Sequence, residues 1–283
     1  MKSDRVAIYW NVCGVLAACL IGIGWDAARA QSAAGTDPDV VGIRSGMTVK
    51  DAMLALKADN PRLKLSPSTR QFEGFTGELL LSVFGEEAAT PGPNSMPLRA
   101  GEKVEILFTI PPNQELVWGV MRVYNFAGAE RPSLQNTLEA LHRKYGPETM
   151  PADPDPRNST KSIIWVYTQG KPMGPAGQQI YKTCGTFGNH FGNGGLAAVN
   201  DIATGGQPWP AECKSYTVLA ASVQAGIDPA SSQYVVNNMS AVLADGGRYR
   251  TAINATRAVV LNAVKAREKK QTDEVNKRGV PKL

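Results

Sequence analysis

TVKDAMLALKADNP at residues 48–61 and SLQNTLEALHRKYGP at residues 133–147 carry the same apolar pattern at an offset of 85 residues. In both stretches, apolar residues recur at the three- and four-residue spacing of an amphipathic helix. Thr48 and Ser133 stand just before the apolar positions, where a hydroxyl caps the first turn of a helix. Each stretch closes on a proline, which ends a helix. The sequence therefore predicts one helical element used twice.

Alternating apolar residues follow each helix, and this alternation is typical of strands. The predicted strands are 75–84, 104–110 and 116–124 after the first helix, and 162–167, 213–223 and 234–243 after the second. A last helix is predicted over 248–270. We predict an α+β fold of two tandem helix-plus-antiparallel-three-stranded-sheet units, with the helices on one sheet face, the other face free, and a long C-terminal helix. One such unit buries too little apolar surface alone, so the two units must join.

The first thirty residues have the pattern of a secretory signal peptide. Lys2 and Arg5 precede an apolar run at 12–25, and the small residues Ala28 and Ala30 mark a cleavage site. The apolar run is shorter than the roughly 20 residues that a transmembrane helix needs. We predict cleavage after Ala30 and a periplasmic or secreted protein, with a retained membrane anchor as the alternative.

Leu16-Ala17-Ala18-Cys19 supports a second alternative, in which the protein is lipid-anchored at Cys19. The pattern is similar to the lipobox of bacterial lipoproteins. In those proteins the apolar run normally stops at the cysteine, whereas here it continues through Ile23. The sequence favours simple cleavage and leaves lipidation open.

Composition and pattern divide the chain into five segments. These are a signal peptide at 1–30, a flexible lead at 31–42, a first α+β repeat at 43–130, a second α+β repeat at 131–264 with an insertion at 171–213, and a basic C-terminal tail at 265–283. The tail carries seven basic and three acidic residues, which accounts for most of the net charge of +5. The folded body is thus close to neutral, which argues against nucleic acid as a partner. The tail could contact an anionic surface weakly, or it is simply a solvated helix end.

Cys184 and Cys213 are the two cysteines that remain after the signal peptide. An even pair in a chain that enters an oxidising compartment predicts a disulfide, which closes the insertion. A zinc site would need more ligands, and His190 is the only histidine between the cysteines. The sequence predicts no metal site and no cofactor.

CGTFGNHFGNGG at 184–195 is the most unusual local stretch of the chain. Glycines let a backbone approach a ligand closely. In a catalytic interpretation, His190 is a base and Asp201 or Glu212 orients its imidazole. In the alternative, the stretch is a disulfide-pinned surface loop whose glycines serve tight turns. The chain lacks the nucleophile elbow, the zinc-protease helix and the phosphate-binding loop.

Four aromatic residues on the predicted strands are candidates for a binding surface: Trp118, Tyr124, Trp165 and Tyr167. Aromatic side chains are enriched at protein interfaces. Core packing or interstrand cover is the favoured alternative for them, and the sequence does not say which sheet face each one occupies.

The Gly46-Met47-Thr48 helix start and the Lys144-Tyr145-Gly146-Pro147 helix end resemble a group of exported bacterial proteins. The group includes proteins similar to the β-lactamase inhibitor protein and to the small lipoprotein of the outer-membrane β-barrel assembly machinery. The resemblance covers 42–61 and 131–147 by sequence and the rest by element order. The chain departs from the group in having one helix per repeat, and in its insertion.

This resemblance implies a non-catalytic protein-binding module. We therefore expect an exported bacterial envelope protein that binds another envelope or secreted protein. The alternative function is a secreted hydrolase with its site in the Gly/Asn-rich insertion at 184–213. The sequence favours the binding protein over the enzyme.

Overall fold

The computed structural model describes residues 37–87, 100–151, 159–185, 187, 190–205 and 210–277, all within the unit Ser32–Leu283. The strands are β1 (Asp39–Val40), β2 (Ile43–Arg44), β3 (Lys64–Gln71), β4 (Glu78–Glu87), β5 (Gly101–Phe108), β6 (Val117–Asn125), β7 (Thr160–Thr168), β8 (Lys171–Pro172), β9 (Tyr216–Ile227) and β10 (Tyr234–Asp245). The α-helices are α1 (Val49–Asp59), α2 (Leu134–Tyr145), α3 (Gly177–Cys184), α4 (Leu196–Thr204) and α5 (Gly246–Lys277). The fold is α+β, as predicted, and it ends in a long helix.

Eight strands form one antiparallel sheet in the order β3-β4-β5-β6-β10-β9-β7-β8. β1 and β2 pair only with each other. At the centre of the large sheet, β6 and β10 run antiparallel, with Tyr124 opposite Met239 and Val120 opposite Leu243. Strands that follow α1 in the chain therefore occupy one half of the sheet, and strands that follow α2 occupy the other half.

The two helix starts are capped as the sequence predicts. Thr48 Oγ1 accepts a hydrogen bond from the backbone N–H of Asp51 at 3.2 Å. Ser133 Oγ accepts one from the backbone N–H of Asn136, also at 3.2 Å. Each bond satisfies one of the N–H groups that a first helical turn leaves without an intrahelical partner. The predictions of α1 and α2 are confirmed.

Helices cover both faces of the large sheet, which corrects the prediction that they lie on one face. On the first face, α1 and α2 bury Leu56 and Leu141 in one apolar cluster. On the second face, α3, α4 and α5 bury Ile180, Ile202 and Tyr249 in another. The prediction missed α3 and α4 because both are short, lie inside the insertion and follow no long amphipathic pattern.

The described part of the chain also differs from the prediction near its start. β3 reads KLSPSTRQ, which has no apolar alternation and contains Pro67. Proline donates no ladder hydrogen bond and is tolerated at an edge, and β3 is the edge strand of the sheet. The segment 31–42 is predicted as a flexible lead, yet its described residues include β1, where Val40 is buried.

α5 is longer than predicted, since it continues to Lys277 instead of ending at residue 270. Its residues from Lys265 onward are exposed. The predictions for the signal peptide, for lipidation at Cys19 and for the last six residues lie outside the described residues, and they stay predictions.

The insertion is closed by the predicted disulfide between Cys184 and Cys213, whose Cα atoms lie 5.6 Å apart. The bond joins the end of α3 to the 3₁₀ turn Ala211–Ser215, and both cysteines are buried on the second face. The disulfide therefore holds the insertion against the sheet.

Replacing both Cys184 and Cys213 with alanine should lower the free energy of unfolding by about 3 to 4 kcal/mol, because the bond closes a loop of this length in the unfolded chain. The two cysteines are 29 residues apart. Urea unfolding at neutral pH measures the difference. Adding a reductant to the natural protein should shift its midpoint to that of the double variant. Equal midpoints for natural protein and variant without reductant would contradict this prediction.

Candidate functional site

Three of the four aromatic residues predicted to bind a partner lie in the core. Trp118 is 2%, Trp165 0% and Tyr167 4% exposed. Trp165 donates its indole N–H to the carbonyl of Gly146 at 2.9 Å, so its polar atom is also satisfied internally. These three side chains pack in the core and do not form the exposed sheet-face surface that was predicted.

Tyr124 is the exception, because it is half-buried on the first face. The guanidinium of Arg122 lies 5.3 Å from the centre of its ring. The ring also packs edge-on against Phe126 at 4.8 Å between centroids. Arg122 in turn pairs with Glu102 at 2.6 Å. Tyr124 therefore contacts Arg122 and Phe126 of its own chain, while its half-buried side chain stays partly accessible to solvent.

His190 and Asp201 lie together, as the catalytic interpretation predicts. Nε2 of His190 lies 3.5 Å from Oδ2 of Asp201, at the outer limit of a hydrogen bond. The hydroxyl of Tyr249 donates to the same oxygen at 2.5 Å. Glu212, the other predicted partner, is exposed on the 3₁₀ turn and forms no ion pair with His190. The cluster therefore joins three parts of the fold: the loop at 190, α4 and α5.

Aromatic rings surround the imidazole of His190. The ring centroids of Trp118, Phe187 and Tyr249 lie 5.8, 5.4 and 4.9 Å from its centre. Burial lowers the pKa of His190, and the hydrogen bond and charge of Asp201 offset this only in part. Among the described residues, no serine, threonine or free cysteine side chain hydrogen-bonds to the imidazole.

The glycine-rich loop of the insertion wraps around a carboxylate of its own chain. Glu105 on β5 is fully buried, and its two oxygens accept hydrogen bonds from the backbone N–H groups of Gly192 and Gly194 at 2.5 and 3.2 Å. Burial raises the pKa of Glu105, while the two N–H groups act to lower it. Successive backbone N–H groups that converge on one anion form a nest. The backbone N–H groups of Gly192 and Gly194 are therefore used inside the protein.

Part of the second face remains open, at the end away from α3, α4 and α5. Val166 on β7, Val218 on β9 and Ala244 on β10 are buried on this face. Because side chains alternate along a strand, every second residue counted from each of them also lies on this face. Ser162 pairs with Ser222, and Ser222 pairs with Ser240. One step further out, Gln224 pairs with Asn238, which pairs with Asn125. We call these six residues, all exposed or half-buried, the open patch: Ser162, Ser222, Ser240, Gln224, Asn238 and Asn125.

A cleft of about 760 Å³ lies at the opposite end of the strands, where α5 begins. Its walls come from residues 37–38 before β1, the loop before α1, the turn between β5 and β6, the turn between β7 and β8, the 3₁₀ turn before β9, and the end of β10 with the first turns of α5. Leu243 and Tyr167 contribute apolar surface. The sequence carries no motif for this cleft, because its residues come from six separate segments.

The chain matches no protein-family model, and no curated protein or solved structure is similar to it. Among the described helices, none is both long enough and apolar enough to cross a membrane. Within the same residues, no group of three or more histidine, cysteine, aspartate or glutamate side chains could hold a metal ion. Function must therefore be inferred from the surfaces described above.

Replacing Glu105 with alanine should lower the free energy of unfolding by about 2 to 4 kcal/mol, because it leaves buried N–H groups of the loop without an acceptor. Glu86→Ala is the matched control, since Glu86 lies on the neighbouring strand and pairs with Lys103 at the surface at 3.0 Å. The control should cost less than about 1 kcal/mol. Urea unfolding measures both. Equal losses for the two variants would show that the loop does not depend on Glu105.

His190 should make stability fall as pH falls. Its pKa in the folded protein lies below its ordinary value, so the unfolded chain takes up the proton first. The contribution is fully present above about pH 6.5 and is lost as pH drops through the folded-state pKa. His190→Gln should flatten this part of the pH profile of the urea midpoint. A profile unchanged by His190→Gln would contradict the assignment.

Proposed function

We propose that this protein is an exported, non-catalytic binding protein of a bacterial envelope, and that the open patch contacts a partner protein. The observation that carries the proposal is an uncharged, accessible area on four adjacent strands of the large sheet, at the end of the second face that α3, α4 and α5 leave open. The disulfide between Cys184 and Cys213 supports export, because such bonds persist in oxidising compartments.

The topology supports a two-unit origin for this surface. In each half of the sheet, a capped helix precedes the strands. The strands of the first half pair in chain order, whereas the insertion interrupts those of the second half. The last strands of the two halves, β6 and β10, meet at the centre of the sheet. Edge-to-edge joining of two sheets in this way agrees with the proposed tandem repeat. It also agrees with the proposed resemblance to the group that contains β-lactamase-inhibitor-protein-like folds.

The chemistry of the open patch favours a protein partner. Charged residues are depleted at interface cores, and the six side chains of the patch are all uncharged, although the patch has none of the aromatic, methionine or arginine residues that are enriched there. The hydroxyls of Ser162, Ser222 and Ser240 form no hydrogen bond with another described residue. They are therefore free to bond across an interface. A nucleic acid would require cations here, and the patch has none.

The size of the patch sets a condition on the partner. Strands spaced by about 4.8 Å and rows spaced by about 6.8 Å give the patch and its bordering residues an area of roughly 400 Å². A standard interface buries roughly 800 Å² on each partner. The contact must therefore extend beyond the patch to neighbouring residues of the same face, such as Val123, which pairs with Ser240.

Photo-crosslinking in the source cell tests this proposal. A photoreactive benzoylphenylalanine in place of Ser222 should give one discrete adduct with a second protein. The same group in place of Lys50, which is exposed on α1, should not give that adduct. Replacing Ser240 with arginine should reduce the adduct at least about tenfold, because a charge would then stand at the centre of the interface.

Three outcomes would contradict the proposal: no adduct from position 222, the same adducts from positions 222 and 50, or an adduct of twice the mass of the chain. The hydrolase alternative rests on the contact between His190 and Asp201. It would be favoured if no partner is captured and purified protein cleaves an envelope polymer in a way that His190→Ala abolishes.

A further inference from the structure

Arg248, in the first turn of α5, is held against the wall of the cleft by contacts from its own chain. Oδ1 of Asp245 accepts a hydrogen bond from the backbone N–H of Arg248 at 2.8 Å and so caps the helix. Oδ2 of Asp245 accepts one from the hydroxyl of Ser45 at 2.7 Å. Nε of Arg248 donates to that same hydroxyl at 3.0 Å and lies 3.4 Å from Oδ2. The inner edge of the guanidinium is thus fixed.

The two outer nitrogens of Arg248, Nη1 and Nη2, are not held by contacts of this kind. They form no hydrogen bond or ion pair with another described residue, and the side chain is 34% exposed. A guanidinium fixed through Nε holds its outer N–H groups in one plane and direction. That geometry suits two parallel hydrogen bonds to a carboxylate. Arg248 lines the cleft and its Nη2 lies beside Gly46, so the structure places a donor fork, unpaired among the described residues, at this edge of the cleft.

The charges around the cleft balance. Arg248 and Lys214 are its cations, and Asp245 and Asp37 are its anions. Asp245 is already bound by Arg248 and Ser45, whereas Asp37 forms no ion pair with a described residue. A Cβ on Gly170 would collide with the carboxylate of Asp37, so the glycine leaves room for this side chain. A multiply charged anion does not match such a balanced set, while a ligand with one positive and one negative end does.

Uncharged polar groups and volume favour an extended ligand. Gln114, Gln169 and Thr217 also line the cleft, and they offer donors and acceptors of the kind that pair with peptide groups. The volume of 760 Å³ falls in the range of roughly 300–1,000 Å³ that is usual for small-molecule sites. A single amino acid would leave most of this space unfilled.

We infer that the cleft binds a short peptide with free ends, whose carboxylate bonds to Arg248 and whose ammonium group pairs with Asp37. This site lies at the opposite end of the strands from the open patch. It depends neither on a partner protein there nor on the proposed function.

Titration of the full folded chain with trialanine tests this inference by two-dimensional amide NMR. The probes are trialanine, N-acetyl-trialanine, trialanine amide and inorganic phosphate. Trialanine should shift the amide signals of Thr217 and Arg248 saturably. Blocking either end should weaken binding about tenfold or more, because each end loses one charge-assisted contact.

Two variants assign the ends of the peptide. Arg248→Gln should weaken trialanine about tenfold and have little further effect on trialanine amide, which already lacks the carboxylate. Asp37→Asn should weaken trialanine similarly and have little further effect on N-acetyl-trialanine. Arg267→Gln is the matched control on the same helix, since Arg267 pairs with Glu73 outside the cleft, and it should change nothing. If Arg248→Gln unfolds the protein, its spectrum will lose dispersion and no probe will bind. The effect of Asp37→Asn on trialanine binding then decides the test.

The inference is overturned if trialanine causes no saturable shift at the cleft. It is also overturned if phosphate binds as tightly as trialanine and Asp37→Asn has no effect, because the cleft would then hold only an adventitious ion.

Discussion

The antiparallel pairing of β6 with β10 is the contact on which the rest of the structure depends. It joins the strands that follow α1 to those that follow α2, and it removes two exposed sheet edges that would otherwise invite pairing with other chains. The joined sheet gives α1 and α2 one continuous apolar surface on the first face. Because neither helix covers enough of the sheet alone, the central pairing is what makes a single first-face core possible.

The second face is shaped by the insertion and by α5. β6 has an irregularity in which Phe108 pairs with Val117 and Leu107 with Gly119, so Trp118 and Gly119 lie on the same face. Phe191 packs onto Gly119, where a Cβ would lie only 2.9 Å from its ring. The disulfide and the hydrogen bonds from the glycine-rich loop to Glu105 hold the insertion against this face. Since the insertion and α5 lie over only one end of the strands, the other end remains as the open patch.

Local signals in the chain predicted the elements that depend on local physics. Hydroxyl caps and helical spacing identified α1 and α2, and alternation identified β4, β5, β6, β7, β9 and β10 within a few residues of their ends. β3 was not predicted because an edge strand needs no apolar alternation and tolerates a proline such as Pro67. α3 and α4 were not predicted because such short helices have too little sequence periodicity to reveal them. Packing against Trp118 and its neighbours stabilises these helices.

The sequence by itself determined the α+β class, the capped helices, the main strands and the pairing of Cys184 with Cys213. The class, the helices and the strands follow from spacing along the chain, and the disulfide follows from an even pair of cysteines in an exported chain. The tertiary structure decided which sheet face each aromatic residue occupies, since a single bulge moves Trp118 across the sheet. It also decided that the glycine loop serves Glu105, a carboxylate 87 residues away from Gly192. Contacts between distant segments leave no local pattern, and both the open patch and the cleft are made only of such contacts.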